Sequence, residues 1–347
     1  MLESSRVAFI RAPFEVKIEE VPIPTLQNDG DVLVRVQAVG ICGTDILYAR
    51  SWAHEWTRFG HETAATVIDY GAGVTDLTAG DLLTVQATTP CGVCEACMHG
   101  DVRDCQDWVP SRLSMAFADH MVVPRRALWR VKDLSPVEAT LIEPLSVALD
   151  LVDVADIKLG HSVAIIGPGP IGLMAVKISK LYGALKVIVL GTDRDRSRFP
   201  IARDLGADIT IDVTQGSQDP IAVVKAATEG LGVDRVLVTA PARVISQALG
   251  MVRWGGIISY IGFEVEDENA LISINLNDFH KRRLQLRASY AAPATRYPLA
   301  AKLLATRQID PAALITHKFA LEDLGQALHV AADQADSAIK VVCMVNS

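Results

Sequence analysis

Two hydrophobic rhythms divide the chain. Up to about residue 135, apolar and polar residues alternate, as in Asp31-Val32-Leu33-Val34-Arg35-Val36-Gln37-Ala38, and Val7–Ile10, Phe14–Glu19, Thr63–Val67, Leu82–Val85 and His120–Val123 repeat the pattern. Alternation broken by prolines 13, 22 and 24 and by the turn Asn28-Asp29-Gly30 predicts a β-rich, barrel-like region. From Pro136 the rhythm changes. Short apolar runs at 163–166, 187–190, 209–211, 235–238 and 257–261 alternate with helical segments at 138–149, 171–181, 200–205, 220–227 and 244–251. Strands without alternation, separated by helices, predict a parallel sheet buried on both faces. Helices at 297–305 and 321–332 and a strand at 338–345 follow, and this tail is expected to return to the first region.

At the head of the second region, Val163–Ile166 runs into Gly167-Pro168-Gly169-Pro170-Ile171-Gly172 and then a helix. Strand, glycine turn and helix in that order form a dinucleotide fingerprint. The first glycine permits a tight turn, the second lets backbone approach a pyrophosphate, and the third lets helix pack on strand. The triplet alone is often just a loop; the flanking β-α-β pattern raises it above that. At 347 residues the chain suggests two domains, and its net charge of −8 argues against a nucleic-acid partner. No run approaches a membrane span and the start, MLESSRVAFIRAPFE, carries no export signal, so a cytoplasmic protein is expected.

Composition changes the picture most through cysteine. Cys91, Cys94, Cys97 and Cys105 place four thiols within one loop, which in a reducing compartment points to tetrahedral zinc with no open position, a structural site. Free thiols rarely fall at this spacing, and an iron–sulfur cluster fits the long last interval less well. A second set is mixed. Cys42 and His61 each stand beside a glycine, and with Glu62 and Glu143 they offer sulfur, nitrogen and oxygen donors suited to a catalytic zinc. Singly, Cys42 is more often a core thiol and His61 more often a satisfied polar side chain.

Cys42-Gly43-Thr44-Asp45, Gly60-His61-Glu62, the four-cysteine lobe, Glu143-Pro144-Leu145-Ser146-Val147-Ala148-Leu149 and the glycine turn occur in an order that spans the chain. In this the sequence resembles the zinc-dependent medium-chain dehydrogenase/reductase superfamily, and most of all its polyol (sorbitol-type) and threonine dehydrogenase branch. The resemblance implies an α/β protein: a GroES-like β-rich catalytic domain (1–148 and 285–347) split around a Rossmann doubly wound parallel-sheet domain (149–284), with the active site in the cleft between them. It implies two zincs per chain and NAD or NADP. Cys42 and His61 would be catalytic-zinc ligands, with Glu62 and Glu143 bound directly or through water, and Thr44 would pass the hydroxyl proton outward. Asp45 is expected to fix a histidine or loop. Ile46-Leu47-Tyr48 stands where many relatives carry a relay histidine, leaving water, Tyr48 or His54 to end the path.

Cofactor contacts are expected at Gly167, Gly169, Pro170, Ile171 and Gly172. Two registers compete for the ribose-binding position after the second strand. One puts Gly191 there and suits NADP; the other puts Asp193 there, with Arg198 at an adenosine contact, and the expectation leans to this NAD register. Thr239-Ala240, Ile261-Gly262-Phe263 and Ser289-Tyr290-Ala291 match loops that line the nicotinamide in the family, and equally fit generic strand ends. The expected activity is hydride transfer between NAD(P) and a secondary alcohol of a polyol, sugar or related hydroxylated metabolite. L-threonine 3-dehydrogenase is the alternative within the family, and a zinc-stabilised NAD(P)-binding protein without dehydrogenase activity the alternative of another class. A homodimer or homotetramer, pairing through an edge strand near Ala270–Ile274, is also expected.

Overall fold

Alternating residues make strands and buried apolar runs make a parallel sheet, in two separate units. The computed structural model describes residues 4–108, 115–214, 219–262, 264, 270–290, 295–333 and 337–346. Phe263 and Ala291 lie outside them. In chain order the strands are β1 (Ser4–Arg11), β2 (Glu15–Pro22), β3 (Asp31–Gly40), β4 (Glu62–Tyr70), β5 (Leu82–Val85), β6 (His120–Pro124) and β7 (Leu128–Arg130). Then come β8 (Ser162–Ile166), β9 (Lys186–Gly191), β10 (Ile209–Asp212), β11 (Val233–Val238), β12 (Val252–Tyr260), β13 (Gln285–Ala288), β14 (Ile315–Ala320) and β15 (Lys340–Met344).

One unit comprises residues 1–146, 291–334 and 338–347, the other 147–290 and 335–337. In the first, a sheet runs β14-β15-β3-β4-β5-β7, with β6 also pairing β3, and a hairpin joins β1 to β2. Its core fills with the inward residues of these strands, including Val32, Val34, Val36, Ala65, Leu83, Val123 and Val341. Burial alternates through the middle of β3, whereas the first four residues of β4 and of β15 are buried on both faces. In the second unit six parallel strands run β10-β9-β8-β11-β12-β13. Val163, Ala164, Ile165, Val187, Ile188, Val189, Val236, Leu237 and Val238 are essentially inaccessible, as strands covered on both faces require.

Three elements differ from the sequence reading. The helix expected over 138–149 is two, Pro136–Ala139 and Ile142–Val154. Pro144, which has no N–H to donate, is tolerated only in a first turn, so a new helix must begin just before it. Strand β14 was not expected, since its polar residues Thr316, His317 and Lys318 hide a half-exposed edge. Leu271–Asn275 has no ladder partner among the described residues, so the expected edge strand near Ala270–Ile274 does not form within the chain; the sheet edge on that side is β13.

Candidate active site

The first unit's site is built where β3 ends and β4 begins. Gly40 and Glu62 are direct cross-strand partners. Just past β3, Cys42 caps the short helix Gly43–Leu47, and the Asp45 carboxylate accepts the Cys42 backbone N–H at 2.8 Å. That bond leaves the thiol free to turn inward, where it donates to Thr44 Oγ1 at 3.8 Å. His61 is set by an aromatic wedge. Phe59 packs on Phe117 with ring centroids 4.5 Å apart, and Gly60 takes φ +92 where a Cβ would lie 2.6 Å from the Phe117 ring. Only glycine serves there, and the turn delivers His61 to within 3.8 Å (Nδ1) of Asp45 Oδ1. Glu143 enters from the first turn of Ile142–Val154.

The electrostatics join these residues into one cluster. Burial opposes a charged imidazole at His61, but Cys42, by charge and hydrogen bond, with Asp45 and Glu143, outweighs it and holds the pKa well above the usual value. A field that favours a proton so strongly would favour a divalent cation too, so these donors fit zinc. Desolvation, with Glu62 and Asp45 nearby, pushes Glu143 up to about 7 against the pull of His61 and Lys340. Desolvation likewise raises Asp45. Tyr297, fully buried, is raised well above its ordinary value by burial and by Glu143 and Glu62, and its hydroxyl donates to the Val85 carbonyl at 3.3 Å.

Glu62 stands apart from its neighbours in one respect. Both its oxygens accept from Lys340 Nζ, at 2.6 and 2.7 Å, in an ion pair whose side chains are 1% and 3% exposed. The expected alternates for the proton path diverge: Tyr48 lies in a π-helical turn, Tyr48–Trp52, against Trp52, while His54 is exposed. Trp56 lies under Arg11 and Lys17, each 4.7 Å from its ring centre.

The cysteine lobe is a second, self-contained site. The sulfurs of Cys91, Cys94, Cys97 and Cys105 lie within 4.8 Å of one another, the one such group of three or more metal-type donors among the described residues. Backbone N–H groups of Val93 and Cys94 point at Cys91 Sγ and bring its pKa to about 7, while desolvation pushes Cys97 up to about 12. Four converging thiols with amide donors behind them fit tetrahedral zinc. Cys42, His61, Glu62 and Glu143 do not converge to that spacing among the described residues, in any combination of three.

In the second unit the glycine turn has the form a pyrophosphate needs. Gly167 takes φ +101, and a Cβ on Gly172 would strike the Gly167 carbonyl at 2.0 Å, whereas one on Gly169 would meet nothing within 4 Å. The space outside Gly169 is open, and Gly169 caps the helix Pro170–Leu181 without using a side chain on its N–H groups. Strand β9 ends at Gly191, so Gly191 holds the strand-end position and Asp193 lies beyond it in a 3-10 turn. A Cβ at 191 would come within 3.0 Å of Asp195 and Pro168. Arg198 reaches Asp195 at 3.2 Å. Ile261 and Ser289 follow β12 and β13; Ile261 N–H donates to the Val238 carbonyl, and Ser289 Oγ donates to Asp150 at 2.8 Å.

Residues 28–133 match the alcohol dehydrogenase GroES-like domain and residues 170–306 the zinc-binding dehydrogenase family. The sorbitol dehydrogenase of Bacillus subtilis is 31% identical over 99% of this chain and 98% of its own. The chain belongs to the zinc-dependent medium-chain dehydrogenase/reductase superfamily. This zinc-type, NAD(P)-dependent alcohol dehydrogenase is also 32% identical to the L-threonine 3-dehydrogenase of Bacillus velezensis, over 89% of this chain and 90% of that one. A Sinorhizobium meliloti structure, described as a candidate zinc-binding dehydrogenase bound to NADP, superposes with TM-score 0.85 at 28% identity, covering 99% of each chain. Membership sets aside a nucleotide-binding protein without catalytic activity and makes zinc and NAD(P) the cofactors of this dehydrogenase. Among the described residues, no helix is long and apolar enough to cross a membrane.

Sequence reasoning missed Lys340 and Tyr297. The first left a signal: Ala338-Ile339-Lys340-Val341-Val342-Cys343 is a buried strand with one charge in it. A buried lysine needs a paired anion, and the motif search offered Glu62 and Glu143.

Proposed function

We propose that this dehydrogenase oxidises a secondary alcohol of a polyol, sugar or related neutral hydroxylated metabolite. Zinc, when bound, supplies a Lewis acid for the substrate hydroxyl, and the nicotinamide exchanges hydride with its carbon. Cys42, His61 and Glu143 would hold that zinc, and Cys91, Cys94, Cys97 and Cys105 a structural one. Thr44, whose Oγ1 lies 3.8 Å from Cys42 Sγ, would take the hydroxyl proton outward.

One observation carries the choice of a neutral substrate. Among the groups that shift His61, Glu143 and Asp45 most, Lys340 is the only permanent cation, and its ammonium is already held by Glu62 and the Ile41 carbonyl. Among the described residues, none of the groups that shift these three most is a free positive charge for a substrate carboxylate, as threonine would need. Turnover of a panel of sugar alcohols, sugars and threonine, with both cofactors, tests this. A kcat/KM for threonine above that of every polyol would overturn it.

Gly191 at the strand end leaves no carboxylate there to bar a 2′-phosphate, which supports acceptance of NADP as well as NAD. Titration of the protein with each cofactor by fluorescence measures that directly. Cys42 and the lobe cysteines are read as metal thiolates rather than disulfide partners, which supports a reducing, cytoplasmic setting. Leu271–Asn275, exposed at Leu271 and without a strand partner, supports assembly into a dimer or tetramer through that segment.

A further inference from the structure

Three adjacent strands, β15, β3 and β4, carry a brace that the proposed chemistry does not use. Glu62 on β4 and Lys340 on β15 meet across β3, over Gly40. Glycine is required there. A Cβ at position 40 would sit 2.1 Å from Glu62 Oε2 and 3.1 Å from Glu62 Cβ, so any side chain would close the crossing. Lys340 Nζ has three N–H donors and three contacts: Glu62 Oε1 at 2.6 Å, Glu62 Oε2 at 2.7 Å and the Ile41 carbonyl at 3.0 Å. Its hydrogen bonding is complete and water is excluded.

These acceptors are not arbitrary points on the backbone. Ile41 is bonded to Cys42, and Glu62 to His61. One ammonium therefore ties together the two chain segments that present the thiol and the imidazole. Both Glu62 oxygens accept from the same Nζ, so the carboxylate is oriented by Lys340 alone of the described side chains it meets. The geometry points to Lys340 as a positioning residue of the catalytic metal site, which fixes the spacing of Cys42 and His61 through Ile41 and Glu62 and holds the Glu62 carboxylate in place.

The inference rests on the reading of Cys42 and His61 as zinc donors, and its test separates the two. Removing a group that orients metal ligands typically costs 10- to 100-fold in metal affinity. The variants are Lys340→Met and the double variant Lys340→Met/Glu62→Gln, which removes the lone buried carboxylate that the single change leaves behind. Purified protein is assayed for zinc content, for loss of zinc to a chelator, for thermal stability, and for kcat and KM. Both variants are expected to retain the lobe zinc and to bind the other about 10- to 100-fold more weakly, with kcat falling more than KM rises. The double variant should recover stability over the single one without recovering zinc affinity. Should it regain both stability and zinc affinity at wild-type levels, Lys340 is a structural counter-ion only and the inference fails. Should the unmodified protein bind only the lobe zinc, the metal reading itself fails and the role of Lys340 with it.

Discussion

The two candidate metal sites draw on the chain in opposite ways. The cysteine lobe takes all four donors from fifteen consecutive residues and orients them with its own amides. The site around Cys42 gathers its donors from the ends of β3 and β4 and from the helix at Ile142, and relies on a lysine 278 residues from Glu62. Local closure costs little chain entropy and leaves a spacing that can be read in the sequence. The dispersed site depends on strand register, so its integrity is a property of the whole sheet. The lobe is therefore expected to govern stability and the sheet site to govern turnover.

The largest expected effect breaks that division if it is wrong. Cys42→Ala should lower kcat/KM on the order of 10³-fold, equivalent to the several kcal/mol that a Lewis acid contributes, while the melting temperature changes little. Cys94→Ser should do the reverse, lowering the melting temperature and leaving turnover per folded molecule unchanged. Metal analysis of the two proteins should find one zinc each, from different sites. Equal losses of activity in well-folded preparations of both would show that the sites are not separable.

The same contrast explains how much the sequence disclosed. The rhythm of β3, the apolar runs of β8, β9 and β11, the cysteine spacing and the glycine turn were legible because each is a pattern of neighbours. The partner of Glu62 was not, since a strand pattern says which face a residue occupies and not which strand lies alongside. The register after β9 was left open for a similar reason. Gly191 and Asp193 both fit a strand end until the ladder, with Ile166 opposite Leu190, fixed the first as its last residue.

Gly40→Ala comes next in size and sharpens the comparison at its weakest atom. The new Cβ falls on Glu62 Oε2, so either the carboxylate or β3 must move. Overpacking of this kind costs about 1–3 kcal/mol. Because the shift is at the brace, chelator should strip the sheet-site zinc faster while the lobe zinc stays. Unfolding midpoints and zinc retention, measured together, check both halves of that statement.

Changes elsewhere in the same sheet unit should move stability and spare both metals. Asp119 accepts from Arg6 at 2.8 Å through both of its oxygens. Burial works against its ionisation, but hydrogen bonds and charge from Arg6 prevail and hold its pKa below the usual carboxylate value. A folded pKa that is depressed gives stability above the unfolded value, about 3.9, that is lost as pH falls through the folded one. Asp119→Asn should cost about 1–2 kcal/mol at pH 7, reduced by the partial exposure of Arg6, and should flatten the loss of stability below pH about 4. Denaturant melts from pH 3 to pH 7 would show it, with zinc content constant at pH 7.

The smallest effect has the opposite sign. His120, on β6 opposite Arg35, is 3% exposed, and neither ring nitrogen has a hydrogen-bond partner among the described residues. Desolvation lowers its pKa, with the Asp119 charge opposing the shift and Arg35 reinforcing it, so the folded protein holds the imidazole neutral. A depressed base binds more protons unfolded than folded, so stability declines as pH drops below the unfolded value of about 6.5 and levels off only beneath the folded one. His120→Phe removes two unsatisfied nitrogens and keeps the aromatic volume, which should stabilise the protein by about 1 kcal/mol at pH 7.5. The gain should widen at pH 5, where the wild type alone gives up stability to protonation of the unfolded chain. A gain that is instead constant with pH would mean that the imidazole is already paired, and a drop in zinc content would mean that β6 reaches the metal through β3 after all.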